Sequence, residues 1–324
     1  EMAHIDPYRT DVIIGSGLGS QEVVEEHVAG RSDHLLEYGE GIDPTGMLKF
    51  FISGPAIGIA LMLGCKSYVT TVSSACASGL NSIGLAMQRI QDRRADVVIC
   101  GGVDTPITRF VWAGLCAARF LTTNNDPVES MCPFDRRRSG GTLGEGAGIF
   151  IVESLEHARA RGARIYAETA AFNQETENVN ELYLMDKSGT RWAELIGRVC
   201  AEAGINRLDW INAHGPSDRQ LDKLETVALK KALGVLVNGT PVSSIKGAVG
   251  AGMASSGAFQ AAAGAMSLIT GCIPPNYNYR EPDPELDLMY VDRPLTGRNL
   301  KTILLNARAF GGINASLIMR RITA

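Results

Sequence analysis

The sequence predicts an α/β protein whose strands are largely buried. Short apolar runs alternate with helical patterns along the 324 residues, which is typical of a chain in which strands and helices follow one another. The runs are continuously apolar, as strands covered on both faces usually are. A content of 45% hydrophobic and 20% charged residues fits a globular protein with a packed interior.

Seven apolar runs are predicted to be strands, and several end in glycine or a small polar residue, where strands often deliver functional groups. The predicted strands are residues 12–14, 97–100, 149–152, 210–212, 241–244, 302–305 and 317–319.

Three helices are predicted from apolar residues spaced three and four apart. Glycines 204 and 234 are expected to end the second and the third of these helices. The apolar faces are Leu80, Ile83, Met87 and Ile90; then Trp192, Leu195, Ile196, Val199 and Cys200; then Leu221, Leu224, Ala228 and Ala232.

Two halves of similar rhythm meet near residues 158–165. We place them at residues 1–160 and 161–324, and their similar order of strands and helices hints at an internal duplication. The first strand lies close to residue 1, and we therefore expect the natural chain to begin earlier.

Charge and composition exclude several classes of partner. The net charge is −4 and no basic run is interleaved with aromatic residues, which argues against nucleic-acid binding. No apolar run approaches the roughly 18 to 20 residues of a membrane span. The cysteines have no paired metal-ligand spacing, so we expect no metal and a reducing, cytoplasmic location. Cys100, Cys200 and Cys272 are expected to be buried; the seven cysteines are Cys65, Cys76, Cys100, Cys116, Cys132, Cys200 and Cys272.

Cys76 is the candidate nucleophile. It lies in the small-residue stretch 72–80, which runs directly into the first predicted helix. The positive end of a helix dipole favours thiolate over thiol, and small neighbours allow a thioester to approach. This pattern predicts an activated cysteine.

His214 is the histidine best placed to serve Cys76. The chain has five histidines, and only this one follows an apolar strand and precedes a glycine. In the stretch 212–215 it would stand at a strand end and face a cleft. The other four, His4, His27, His34 and His157, lie in polar or helix-surface contexts.

Four segments, in their order along the chain, resemble the elongating β-ketoacyl-acyl-carrier-protein synthases of fatty acid and polyketide assembly. They are residues 72–80, 134–148, 212–215 and 306–314. The resemblance runs from about Asp11 to Arg321. It implies a thiolase-like fold, in which two similar α/β halves stack as five alternating layers, αβαβα, around an active site between them. It also implies a dimer across a sheet edge.

The resemblance also implies the roles of individual residues. Cys76 would be the acyl-accepting nucleophile, and the backbone amides of Cys76 and Phe310 would form the oxyanion hole. Phe310 would gate an acyl pocket beside Gly311 and Gly312. His214 matches the first catalytic histidine. Lys246 matches the lysine that orients the histidines, and Glu225 matches an acid near the site.

The chain departs from the family pattern in two places. Ala251 stands where the family has its second catalytic histidine, and Gln260 replaces a glutamate. Removing one hydrogen-bond donor to a developing oxyanion typically costs about 3 to 4 kcal/mol, so decarboxylation of a malonyl thioester is expected to be weakened. Pro216 and Asp218 replace the threonines that hold the pantetheine arm of the carrier, and Asp218 is expected to add charge beside the thioester channel.

Two functions therefore remain open. In the first, the chain is an acyltransferase that takes an acyl group from acyl-carrier protein onto Cys76 and then condenses or transfers it. In the second, it is a non-elongating partner subunit resembling a chain-length factor, a reading favoured by the stretch Ala307-Arg308. The chain would need no cofactor of its own, because the carrier delivers the phosphopantetheine. It would form a homodimer, or a heterodimer with another ketosynthase-fold subunit.

Overall fold

The computed structural model describes residues 5–28, 49, 51–126, 128–177 and 186–322, with only the backbone for residues 24 and 26–28. Two sheets form its frame. The N-terminal sheet has the order β2-β1-β3-β4, in which β1, β2 and β3 are parallel and β4 is antiparallel to β3. Its strands are β1 (Thr10–Gly15), β2 (Val69–Val72), β3 (Val97–Asp104) and β4 (Gly146–Glu153).

The C-terminal sheet has the order β5-β10-β9-β6-β7-β8. In this sheet β9, β6, β7 and β8 are parallel to one another, whereas β10 is antiparallel to both β5 and β9. They are β5 (Glu168–Thr176), β6 (Trp210–Asn212), β7 (Pro241–Ser243), β8 (Met289–Tyr290), β9 (Thr302–Ala309) and β10 (Ile313–Arg320).

The described residues also contain α-helices and two short 3-10 turns, Ala75–Ala77 and Gly234–Val237. The helices are α1 (Gln21–Val28), α2 (Gly54–Leu63), α3 (Ser78–Gln91), α4 (Arg109–Ala117), α5 (Leu155–Ala160), α6 (Thr190–Glu202), α7 (Arg219–Leu233), α8 (Lys246–Val249) and α9 (Ser255–Thr270).

The elements stack in five layers. Helix α2 packs against β1 and β2, and α3 and α9 each contact strands of both sheets. Helix α6 packs against β5, β10 and α7 on the far side of the second sheet. The order is therefore helix, sheet, paired helices, sheet, helices, which confirms the thiolase-like αβαβα prediction. The division at residue 160 stays a prediction.

The two central helices approach each other at glycines. A Cβ at Gly79 would lie 2.3 Å from the carbonyl oxygen of Ala254, and one at Gly257 would lie 2.6 Å from the backbone nitrogen of Leu80. Any side chain at either position would push α3 and α9 apart. Because Cys76 immediately precedes α3, this contact fixes where the candidate nucleophile stands relative to the C-terminal half.

The structure contains all seven strands that the sequence predicts, and it adds β2, β5 and β8. These three are edge strands. Polar residues such as Thr70, Thr71 and Asn173 interrupt the apolar runs from which strands were predicted. Gly234 ends α7 as predicted, and Gly204, with a left-handed φ of 60°, follows the C-cap Ala203 and ends α6 as predicted. No helix of the described residues is long and apolar enough to cross a membrane.

Cys100 and Cys200 are buried as predicted. The same prediction is wrong for Cys272, which is half-buried because it lies in an extended segment after α9 in which the next residue, Ile273, occupies the core.

Candidate active site

Cys76 lies in the 3-10 turn directly before α3. The turn is tight, since Ala75 has a left-handed φ of 48°, which is uncommon for a residue with a side chain. The Ser78 hydroxyl holds it: Ser78 Oγ accepts a hydrogen bond from the Ser74 N–H at 2.8 Å and donates to the Ala75 carbonyl at 2.6 Å. The predicted elbow is thus present, with the cysteine just outside the α-helix.

The thiol of Cys76 is not the activated group that the helix dipole led us to expect. Burial raises the pKa of Cys76 to about 11; the Lys246 ammonium lowers this pKa and the Asp104 carboxylate raises it. The side chain is only 8% exposed, and its Sγ lies 3.5 Å from the thioether sulfur of Met253. A thioether offers no cation to stabilise a thiolate, so Met253 does not offset the effect of burial.

Asp104, at the end of β3, positions the surroundings of Cys76. Its buried carboxylate accepts hydrogen bonds from the Ser16 hydroxyl at 2.9 Å and from the Gly17 N–H at 3.0 Å. On its other side it accepts from the Ala254 N–H at 2.8 Å. Burial raises the pKa of Asp104. Asp104 was not among the predicted site residues, although an acid at the end of a buried strand is a recognisable signal.

His214 follows β6 and is a neutral hydrogen-bond donor. Its Nδ1 accepts from the Arg308 N–H at 3.2 Å, so the proton of the neutral ring resides on Nε2. Burial, together with the charges of Lys246 and Arg308, holds the pKa of His214 well below its usual value. His214 therefore has one N–H, on Nε2, to offer a ligand, and no free acceptor nitrogen.

Lys246, the first residue of α8, lies against His214. Its buried ammonium donates to the carbonyl oxygen of His214 and stands 3.4 Å from Nδ1. Burial lowers the pKa of Lys246 to about 8, whereas Glu225 and Cys76 raise it. The charge of Lys246 thus acts on both Cys76 and His214.

Glu225 on α7 holds the chain at His214. Its carboxylate accepts hydrogen bonds from the N–H groups of His214 and Gly215, each at 2.9 Å, and from Asn306 Nδ2 at 3.3 Å. Burial raises the pKa of Glu225, and these hydrogen bonds lower it. Glu225, which the family resemblance indicated, therefore fixes the backbone at His214.

The turn between β9 and β10 carries Phe310, Gly311 and Gly312. Both glycines have left-handed φ values, 83° and 74°, and the Phe310 side chain is 45% exposed. Its ring centroid lies 5.3 Å from that of Phe120. Phe310 thus lies at the surface of the site, and its roles in the oxyanion hole and as a gate stay predictions.

Behind this turn lies a buried ion pair that the sequence analysis missed. Arg308 donates to both oxygens of Glu177, at 3.1 and 2.6 Å, and Asn314 Nδ2 donates to the same carboxylate at 3.0 Å. The Glu177 N–H donates to the Gly312 carbonyl at 2.8 Å. Glu177 therefore links both strands of the hairpin that carries Phe310.

Ala251 and Gln260, the two departures from the family pattern, are both buried. Ala251 is held through its backbone: it donates to the Thr142 carbonyl at 2.8 Å and accepts from the Gly144 N–H at 3.1 Å. Gln260 Nε2 donates to three backbone carbonyls, those of Asn212, Ala213 and Asn306, at 3.2, 2.9 and 2.9 Å. A glutamate, which has only acceptors when ionised, could not make these bonds.

The Asp218 side chain has a structural role at the start of α7. It is the N-cap of α7, and its Oδ1 accepts from the N–H groups of Gln220 at 2.9 Å and Leu221 at 2.8 Å. The helix N-terminus thus binds this carboxylate, and its expected effect on the thioester channel stays a prediction. Among the described residues, no group of His, Cys, Asp and Glu side chains could hold a metal ion.

Comparison with known proteins identifies the family. Residues 1–158 match the model of the β-ketoacyl synthase N-terminal domain, and residues 166–280 match that of the C-terminal domain. The chain is 36% identical to the tetracenomycin polyketide synthase ketoacyl synthase alpha subunit of Streptomyces glaucescens, across 98% of this chain and 76% of that protein. It is 35% identical to 3-oxoacyl-[acyl-carrier-protein] synthase 2 of Synechocystis sp., across 96% and 74%.

Solved structures agree. One similar chain belongs to a type II polyketide synthase acyl-carrier protein in complex with its ketosynthase bound to the hexaketide; the TM-score is 0.91 at 30% identity, over 99% of this chain and 80% of that one. A chain of the ishigamide ketosynthase/chain length factor gives a TM-score of 0.88 at 29% identity, over 100% and 78%. On the strength of these matches and of the five-layered fold, the chain belongs to the β-ketoacyl synthase family.

Proposed function

We propose that the chain is an acyltransferase of the ketosynthase type, which takes an acyl group from acyl-carrier protein onto Cys76 for polyketide or fatty acid synthesis in the cytoplasm. The observation that carries the proposal is the convergence of Cys76, His214 and Lys246. The Lys246 ammonium donates to His214, and its charge lowers the pKa of Cys76.

The proposed step is a thioester exchange. The sulfur of Cys76 attacks the carbonyl carbon of the acyl-carrier thioester, the bond from that carbon to the pantetheine sulfur breaks, and the thiol proton ends on the released carrier thiol. No cofactor of the chain's own is needed. Because the pKa of Cys76 is raised to about 11 by burial, the thiolate is scarce at neutral pH, and we expect the transfer to be slow.

Subsequent condensation would depend on stabilising an enolate oxygen. His214 can donate one hydrogen bond to it through Nε2, since its Nδ1 accepts from the Arg308 N–H. The methyl group of Ala251 supplies no donor. The lost donor corresponds to a factor of about 10² to 10³ in rate, so we propose that decarboxylation is weak and that acyl transfer is the main activity.

Acyl-carrier protein is the proposed partner, by analogy with the similar complex of a carrier with its ketosynthase. We further propose that the chain works as a homodimer or beside a second ketosynthase-fold subunit. The similar ketosynthase/chain length factor structure makes the second arrangement a concrete model.

A second candidate function is the chain-length-factor-like partner subunit. The observation that favours it is the burial of Cys76, whose Sγ lies 3.5 Å from the thioether sulfur of Met253. In that case the chain would shape the cavity of an active partner and carry no acyl group.

Intact-protein mass spectrometry after incubation with acyl-carrier thioesters tests the proposal, with Cys76→Ala as the control. The expected result is a mass gain equal to one acyl group in the natural protein and none in the variant. No gain, together with acylation of a co-purified ketosynthase, would establish the partner role. Release of CO₂ from malonyl carrier, measured in parallel, is expected to be slow.

A further inference from the structure

The thioether of Met253 lies directly against the candidate nucleophile. The distance from Cys76 Sγ to Met253 Sδ is 3.5 Å, and the two side chains are 8% and 5% exposed. Both belong to the core cluster that also contains Ala307 and Ala309 of β9. Met253 is thus a large side chain in direct contact with the sulfur that would carry an acyl group.

The charged and apolar neighbours of Cys76 determine where an apolar acyl chain would lie. The polar groups of the site, His214 and Lys246, stand at the ends of β6 and β7, where they bind each other. The side chain that contacts the sulfur of Cys76, by contrast, is the apolar Met253. An acyl chain bound to Cys76 is most stable away from the charged groups, which directs it toward the space that Met253 fills.

The backbone at Met253 is fixed on both sides. The Ala254 N–H donates to Asp104 at 2.8 Å, and the Ser256 N–H donates to the Met253 carbonyl at 3.1 Å. Ala251 is bonded to the 142–144 segment through both its N–H and its carbonyl. These hydrogen bonds hold the main chain in place, whereas the side chain of Met253 is unbranched and has three rotatable bonds about which it can turn.

We propose that Met253 is a specificity-determining residue, a flexible stopper that must turn away from Cys76 before an acyl group can occupy the site. Its volume and flexibility set the size of the group that Cys76 accepts. This inference rests on the proposed function, since it assigns the acyl subsite of the same cysteine.

Alkylation of Cys76 tests the stopper without a carrier. The rates of reaction with iodoacetamide and with N-hexyliodoacetamide are measured by mass spectrometry and peptide mapping for the natural protein, Met253→Ala and Met253→Leu. Met319→Ala is the matched control, because it removes a buried methionine of the same core cluster that lies at the far end of β10. The quantity compared is the ratio of the hexyl rate to the iodoacetamide rate.

We expect Met253→Ala to raise this ratio about tenfold or more, since even one methylene in an apolar pocket changes selectivity by about that factor. Met253→Leu conserves the volume but has less freedom to move, so its ratio should equal or fall below the natural value, and Met319→Ala should leave it unchanged. A ratio that does not rise in Met253→Ala, or that rises equally in Met319→Ala, would overturn the proposal.

The same variants are then incubated with short-chain and long-chain acyl-carrier thioesters. If the natural protein accepts no acyl group from any carrier, the proposed acyl transfer fails, while the alkylation ratio still decides the role of Met253. If it accepts short chains and Met253→Ala extends the range, both the transfer and the stopper are supported.

Discussion

The two sides of the candidate site are built by different means. The imidazole side is formed by His214, Glu225, Lys246 and the Arg308–Glu177 pair, and directed hydrogen bonds hold its polar groups. On the thiol side, formed by Cys76 and Met253, the described side-chain contact is one between two sulfur atoms. The imidazole is thus held in one orientation, whereas the thiol has neighbours that can rearrange.

This difference matches the demands of the proposed chemistry. A donor to a developing oxyanion is effective only when it is already oriented, and the Nδ1 contact with Arg308 provides that orientation. The acyl chain of a thioester needs space, and a flexible methionine side chain can move to provide it. We therefore expect substitutions on the imidazole side mainly to lower stability, and substitutions on the thiol side mainly to change reactivity.

The largest loss of stability is expected for Arg308→Ala. Arg308 and Glu177 are a buried pair with side chains 7% and 1% exposed, and removing one partner leaves an uncompensated buried charge. Such a loss costs about 3 to 5 kcal/mol in the free energy of unfolding, which urea denaturation would measure. Cys76→Ala, on the thiol side, is expected to cost only about 1 kcal/mol.

The control for Arg308→Ala is the double variant Arg308→Met with Glu177→Gln, which removes both charges and keeps similar volumes. It should recover most of the lost stability, because a neutral pair does not carry the desolvation penalty. If Arg308→Ala costs no more than Cys76→Ala, the contrast between the two sides is wrong.

Gln260→Glu, a return to the residue type of the family pattern, is expected to destabilise the chain by about 1 to 3 kcal/mol. The new carboxyl would face the carbonyls of Asn212, Ala213 and Asn306, with which Gln260 now bonds. Their oxygens favour its protonated form, so its pKa in the folded state is expected to rise above the unfolded value of about 4.3. The stability of the variant relative to the natural protein should then be greatest below that value and fall as the pH rises.

Urea denaturation at several pH values measures this effect. Gln260→Leu is the control: it also leaves the three carbonyls without a donor but adds no titrating group, so its difference from the natural protein should not depend on pH. A Gln260→Glu variant whose relative stability increases with pH would contradict the assigned contacts.

On the thiol side, the pH dependence of alkylation is the sharper probe. Because burial raises the pKa of Cys76 to about 11, the rate with iodoacetamide should rise about tenfold per pH unit from about pH 7 to about pH 10. Exposed Cys116, followed in the same samples by peptide mapping, is the internal reference. Below about pH 8, where Lys246 is still charged, Lys246→Met should slow the reaction of Cys76 further, because the ammonium lowers the pKa of the thiol.

A plateau of the Cys76 rate near pH 8 would show that the thiol is activated after all. It would support the expected effect of the helix dipole on Cys76, and it would favour an acyltransferase over a partner subunit.

The sequence was sufficient for the parts of the site that lie within short motifs. The positions of Cys76, His214 and Lys246 all followed from local stretches, and the structure brings them together. The contacts that decide their chemistry join distant segments: Cys76 and Met253 are 177 residues apart, and Arg308 and Glu177 are 131 apart. No periodicity or spacing encodes such pairs, since only the packing of α3, α9 and the hairpin creates them.

The same limit explains the error about Cys76. The activation of Cys76 was predicted from the residues next to it in the sequence. The pKa of the thiol, however, depends on how many atoms exclude water from it. That number is set by β9 and by the segment before α9, which no pattern around residue 76 indicates. In the fold, likewise, the central strands were predicted and the missed strands were edges, where one side of the strand has no neighbour to demand an apolar sequence.

The smallest effect is expected for Asp218→Ala, and it bears on the boundary of the imidazole side. Asp218 caps α7 through the Gln220 and Leu221 N–H groups, and losing such a cap costs about 1 kcal/mol. Asp218→Asn keeps the cap and removes the charge, so it should retain most of this stability. If neither variant changes acylation by the carrier, the carboxylate serves only the helix. A gain in acylation shared by both variants would instead mean that its charge repels the carrier arm, and the imidazole side would then extend to the entrance of the site.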